Sequence, residues 1–107
     1  MSVTFKDFEK ISLKVGRIVA AEKIPGMSKI LRVTVDIGGR DVHAIAGGAQ
    51  YYEPDSFVGK NVIIVDNMEP KTIAGVRSEV MLLAADLNGK PIWLTVETDV
   101  PPGTKVR

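Results

Sequence analysis

From Leu31 to Ile37 the chain alternates without a break. Leu31, Val33, Val35 and Ile37 are apolar, and Arg32, Thr34 and Asp36 between them are polar. A period of two sends successive side chains to opposite faces, so residues 29–48 open with a half-exposed strand. Gly38-Gly39 supplies a two-residue hairpin turn into a second strand starting near Arg40. Upstream, residues 13–24 are rich in Val and Ile and contain Gly16, the pattern of a bent or bulged strand, and residues 24–28 form a turn. Residues 61–67 and 77–84 read as two further strands, with a loop over 68–75 between them. Pro54 and Gly59 limit residues 49–60 to short helical turns. Residues 86–96 read as a turn followed by an extended segment, and Pro101-Pro102 stiffen a tail over 99–107. At the start, Thr4 caps a short helix in which Phe5, Phe8 and Ile11 recur at helical spacing, so one face is expected to dock on the core. Several short strands, Gly/Pro turns and little helix predict an all-β barrel or sandwich in a single domain over residues 1–107.

Composition narrows the function more than the fold. The 107 residues are 45% hydrophobic, enough to form a core, and include no cysteine. Disulfides, thiolate metal sites and cysteine nucleophiles are therefore excluded, and a reducing, cytoplasmic location is the expectation. No apolar run approaches a membrane span, and the charged N-terminus does not read as a signal peptide, so no membrane partner is expected. The one histidine, His43, lies in an alternating strand, where a half-exposed sheet position is the ordinary reading. One His and no Cys cannot assemble the common zinc sites, and no Ser stands in a nucleophile-elbow context. Gly59-Lys60 lacks the remaining residues of a phosphate-binding loop. The chain is thus read as non-enzymatic, with no metal and no cofactor. Net charge is +1, but residues 1–40 carry eight Lys/Arg against four Asp/Glu, and residues 41–107 carry six against nine. Such asymmetry fits either ordinary surface variation or a local basic patch.

Four ordered blocks carry a resemblance. "FKDFEKISLKVGRI", "SKILRVTVDIGG", "AGGAQYYEPDSFVGKNVIIVDNMEPKTIAGVRSEVMLLAA" and "DVPPGTKVR" resemble the stand-alone tRNA-binding domain, over about residues 4–107. That group includes the C-terminal domain or separate β-subunit of methionyl-tRNA synthetase, bacterial tRNA-binding proteins and export-chaperone relatives. The resemblance implies a five-stranded OB-fold barrel with a short N-terminal helix and a C-terminal extension. It also implies a homodimer joined through terminal segments, a non-catalytic tRNA-binding role and a methionyl-tRNA synthetase catalytic subunit as partner. The family pattern Ser, acid, Gly, Met, Leu reads here as Ser78, Glu79, Val80, Met81 and Leu82, so Val80 replaces the common Gly. Asn67 and Lys29 match two further family positions, and the cations Arg32, Lys71 and Arg77 are added as candidate tRNA-binding residues. The chaperone relatives imply an alternative, a dimeric protein-binding module with an apolar groove. A third reading is a generic single-strand binder, which should need more stacking aromatics than the six present.

Each implied site residue also has a structural reading. Ser78 and Asn67 suit loop capping, Met81 suits a core, the four cations suit a solvated surface, and Tyr51-Tyr52 suit packing over a barrel end. In a regular strand Ser78 and Met81 point to opposite faces. For both to meet one ligand, the chain must be irregular over 77–80, with a regular buried strand following from Leu82. Ile92 and Leu94 share one face of their segment and Trp93 the other, which predicts an exposed apolar face in a monomer.

Overall fold

A computed structural model describes residues 1–107. The chain is mostly β, a nearly closed five-stranded antiparallel barrel with a short helix near the N-terminus. That helix, α1 (Phe5–Phe8), is one turn long, and the Thr4 hydroxyl accepts from the Asp7 N–H at 3.0 Å. It does not dock on the core as its spacing predicts. None of its residues is buried, and Phe5 is 74% exposed. A single turn lies on the outside of the barrel, where its apolar side meets a groove shared with Lys105–Arg107 rather than the interior.

Strand β1 (Leu13–Lys23) is long enough to serve two neighbours because it bends. Its first part, Leu13–Arg17, pairs with β4 (Asn61–Val65). Arg17–Lys23 pairs with β2 (Ile30–Asp36), with a register shift between Ile18 and Ala20. At the shift, Ile18 donates to the Lys60 carbonyl at 2.9 Å and accepts from the Gly59 N–H at 2.8 Å, so the bulge leaves neither group orphaned. Gly16 permits the curl: a Cβ there would stand 2.6 Å from a Val35 methyl. β2 continues through the Gly38-Gly39 turn into β3 (Asp41–Gly47), as the alternation predicts.

The short helix α2 (Pro54–Phe57) drops Phe57 into the core. There it joins one buried cluster with inward residues of every barrel strand, among them Ile18, Val33, Ala44, Ile64 and Leu82. The predicted loop over 68–75 and the strand over 77–84 are both arranged differently. Lys71–Ile73 (β5) and Val76–Ser78 (β6) form a hairpin of their own, turned by Ala74-Gly75 at φ 52° and 79°. An alanine in the left-handed region is uncommon, which is why this turn does not read as one in the sequence. The chain then breaks at Glu79–Val80 and resumes as β7 (Met81–Leu82) beside β4. The expected buried strand from Leu82 ends almost at once. Ala84–Leu87 (β8) is exposed and leaves the barrel in a hairpin with β9 (Lys90–Trp93).

The barrel strands run in the order β3-β2-β1-β4-β7. The gap between β7 and β3 is bridged by the segment just before β7, which gives the connectivity of an OB barrel. Glu79 N–H donates to the His43 carbonyl at 3.0 Å, and the Ser78 hydroxyl accepts from Ile45 N–H at 3.2 Å. No ladder forms across this seam. The tail returns as β10 (Lys105–Val106) on the free side of Leu13-Lys14. Arg17 and Asn61 both hold the Asp99 carboxylate, at 2.8 and 2.7 Å. Hydrogen bonding from Asn61, then the Arg17 charge, keeps the Asp99 carboxyl below its ordinary pKa.

Candidate nucleic-acid interface

The outer face of β3 carries Ile45, directly opposite Arg32 of β2. The β5–β6 hairpin folds over this spot. By pairing parity, Lys71, Ile73, Val76 and Ser78 share one face of the hairpin, while Thr72 and Arg77 share the other. A cleft of about 260 Å³ lies between hairpin and barrel, lined by Ile45, Lys71, Ile73, Ser78 and Met81 together with Met68, Glu69, Glu79 and Val80. Ser78 and Met81 therefore reach one cavity, and the break at Glu79–Val80 is what allows it.

Met81 is not a core residue. It pairs with Val65 across β4–β7 and stays 43% exposed, while its neighbour Leu82 takes the buried position. Val80 has no positive φ and is 5% exposed within the core cluster. Val80, at the position where the resemblance implies glycine, thus plugs the barrel beneath the cleft. Ser78 is half-buried, and its hydroxyl both accepts from Ile45 N–H and donates to the Val80 carbonyl at 3.3 Å. The polar start of this strand is the barrel's closure: a side-chain oxygen stands where a neighbouring strand would offer a carbonyl.

The other residues singled out in the sequence lie at varied distances from the cleft. Arg77 lies on the hairpin's far face with Nε 3.7 Å from Glu79, whose other oxygen is 3.5 Å from Arg40. Arg32 flanks Ile45, but its guanidinium is paired with Glu22 at 2.6 Å. Lys29 is exposed in the bend just before β2, three residues from Arg32 along the chain. Asn67 faces a different task. Its carbonyl oxygen accepts from Ser12 N–H at 2.9 Å, and its NH2 donates to the Lys10 carbonyl at 2.7 Å, so it ties the N-terminal segment to the end of β4. Beside it, Asp66 pairs with Lys14 at 2.8 Å. Burial pushes the Asp66 carboxyl up, but hydrogen bonds from Lys14 and Ser12 and the Lys14 charge outweigh it and leave its pKa below the usual value. Sequence reasoning did not find Ile45, Met68, Glu69 or Arg40. The first is one of many alternating strand residues, and the next two stood in a stretch read as loop.

A second surface lies on the β8–β9 hairpin. Ala85 pairs with Ile92 and Leu87 with Lys90, and Leu94 N–H extends the ladder to the Leu83 carbonyl. Leu83, Ala85, Leu87, Ile92 and Leu94 therefore share a face, with Leu87 58% exposed. Trp93 points the other way, its ring 5.2 Å from that of Phe57.

The profile of the "Putative tRNA binding domain" family matches residues 13–105. The chain belongs to that family. Among its relatives is the methionine–tRNA ligase of Methanocella arvoryzae, 46% identical over 98% of this chain. The chain spans only 15% of that relative's length, so it corresponds to one small part of such an enzyme. The domain also superposes on a solved MetRS-related protein from Pyrococcus horikoshii, at 33% identity and TM-score 0.93, covering 100% of this chain and 99% of that one. The chaperone CsaA of Bacillus anthracis aligns at 28% identity and TM-score 0.90 over the full length of both chains.

Proposed function

We propose that this domain binds tRNA without catalysing a reaction, through the cleft between β3 and the β5–β6 hairpin. The observation that carries the reading is that Ser78 and Met81, implied as site residues by the family pattern, line one cavity with the candidate cation Lys71. An OB barrel offers its β2–β3 face and the loop before its last strand to oligonucleotides. Arg32, Arg77 and Lys29 add charge around the cleft for the RNA backbone, and recognition is of tRNA shape more than sequence. Asn67 belongs to this site only if RNA also reaches the N-terminal segment it tethers. In a cytoplasmic setting the domain serves a methionyl-tRNA synthetase catalytic subunit as an accessory β-subunit, adding a weak second contact that raises local tRNA concentration. It acts as a homodimer, two copies burying the exposed Leu87, Ile92 and Leu94 face.

Gel-shift titration of tRNA and of an unstructured RNA of equal length, at several salt concentrations, tests the binding. Few phosphates are neutralised, so log affinity against log salt should slope by about −2 to −5. Equal affinity for both RNAs would count against shape recognition. Sedimentation of a Leu87→Lys, Ile92→Lys double variant tests the dimer. An unchanged dimer would refute the β8–β9 interface. A second reading, capture of apolar polypeptide, is favoured by the likeness to CsaA and by the cleft's apolar lining.

A further inference from the structure

We infer that the cleft under the β5–β6 hairpin takes one unpaired guanine of the bound RNA, a reading that rests on the proposed tRNA function. Its lining is unsuited to phosphate alone, because two acidic residues, Glu69 and Glu79, belong to it. The Glu79 charge is answered by Arg40 and Arg77, whereas Glu69 has no cation within 4 Å. A free carboxylate in a polyanion interface is repulsive unless it receives hydrogen bonds from the ligand. The rest of the lining supplies what a base needs: Ile45, Ile73, Met68 and Met81 offer apolar surface to a ring face. A volume of about 260 Å³ lies just below the roughly 300–1,000 Å³ of drug-sized sites, which suits one planar heterocycle.

The edge chemistry selects the base. Guanine alone presents two adjacent donors, N1–H and the N2 amino group, to the two oxygens of a carboxylate. Its neighbouring O6 accepts, and Lys71, which also lines the cleft, carries an ammonium able to donate. Uracil would turn two carbonyls on the carboxylate. Adenine and cytosine would each set a ring acceptor beside their single amino donor. Unpaired bases in RNA loops expose these edges for reading.

The chain has four methionines, of which Met68 and Met81 line the cleft and Met1 and Met27 do not. Their methyl carbons are reporters for an NMR titration with the four nucleoside monophosphates and with inosine monophosphate, which lacks the N2 amino group. GMP should move Met68 and Met81 while leaving Met1 and Met27 in place. Loss of one hydrogen bond to a charged group should make inosine monophosphate roughly tenfold weaker. Glu69→Gln, at an exposed position that keeps the fold, should abolish that preference. If tRNA binds but no nucleotide is preferred, the guanine pocket is wrong and the tRNA reading stands. If GMP is preferred but tRNA does not bind, the pocket stands and the tRNA reading falls. If the two methyls ignore every nucleotide but respond to an apolar peptide, the inference is overturned in favour of polypeptide capture.

Discussion

Replacing Ser78 with alanine tests the barrel's closure directly. The substitution removes an acceptor for Ile45 N–H at 3.2 Å and a donor to the Val80 carbonyl at 3.3 Å. Each such bond is worth about 0.5–1.5 kcal/mol net, and leaving a buried donor unpaired costs about 1–3 kcal/mol. Both distances are long and the site is half-buried, which favours the lower part of those ranges. The Glu79–His43 bond and the burial of Val80 and Leu82 remain. The expected loss is therefore about 1–2 kcal/mol, or roughly 5–15 °C in Tm for a domain of this size. Urea unfolding should show a lower midpoint with an unchanged slope, and hydrogen exchange should show Ile45 N–H losing protection. An unaltered midpoint with Ile45 still protected would mean that the hydroxyl does not close the barrel.

Three further outcomes are expected. Val80→Gly, the residue the family resemblance implies at this position, should cost about 2–4 kcal/mol through lost burial and added chain entropy, measured by urea unfolding. Met81→Ala should change stability by no more than about 0.5 kcal/mol, as at other exposed sites, yet weaken tRNA in a gel shift. A core-sized stability loss with unchanged affinity would remove Met81 from the site. The Asp66–Lys14 pair should stabilise fully above the unfolded carboxyl pKa and be lost as pH falls through the lower folded value. Lys14→Met leaves burial to raise that carboxyl, so acid unfolding followed by circular dichroism should begin at higher pH.

The elements with strong local patterns were legible in the sequence. The alternation over 31–37 and the Gly38-Gly39 turn gave β2 and β3 in their true places, and Val/Ile runs marked β1 and β4. The β5–β6 hairpin was not legible, because its strands are three residues each and its turn sets alanine at positive φ. The exposed α1 was misjudged because helical spacing reports an apolar face but not what covers it. The site divides along the same line. Ser78 and Met81 were found through a family pattern, but their convergence depends on a chain break that periodicity only required and did not describe. The double anchoring by Asn67 joins residues more than fifty positions apart, which no local pattern records.

The seam between β3 and Ser78–Val80 gives the barrel a hinge line. Hydrogen-bonded ladders resist opening on every other side, so spontaneous breathing should part the wall here first, like the overlap of a cuff. The cleft straddles that overlap, with Ile45 on one bank and Ser78 and Met81 on the other. Whatever occupies it must hold both banks together, so occupancy and closure are thermodynamically linked. A ligand would raise the melting temperature through the same amides whose exchange it slows, and variants that loosen the overlap would bind more weakly without touching the ligand at all.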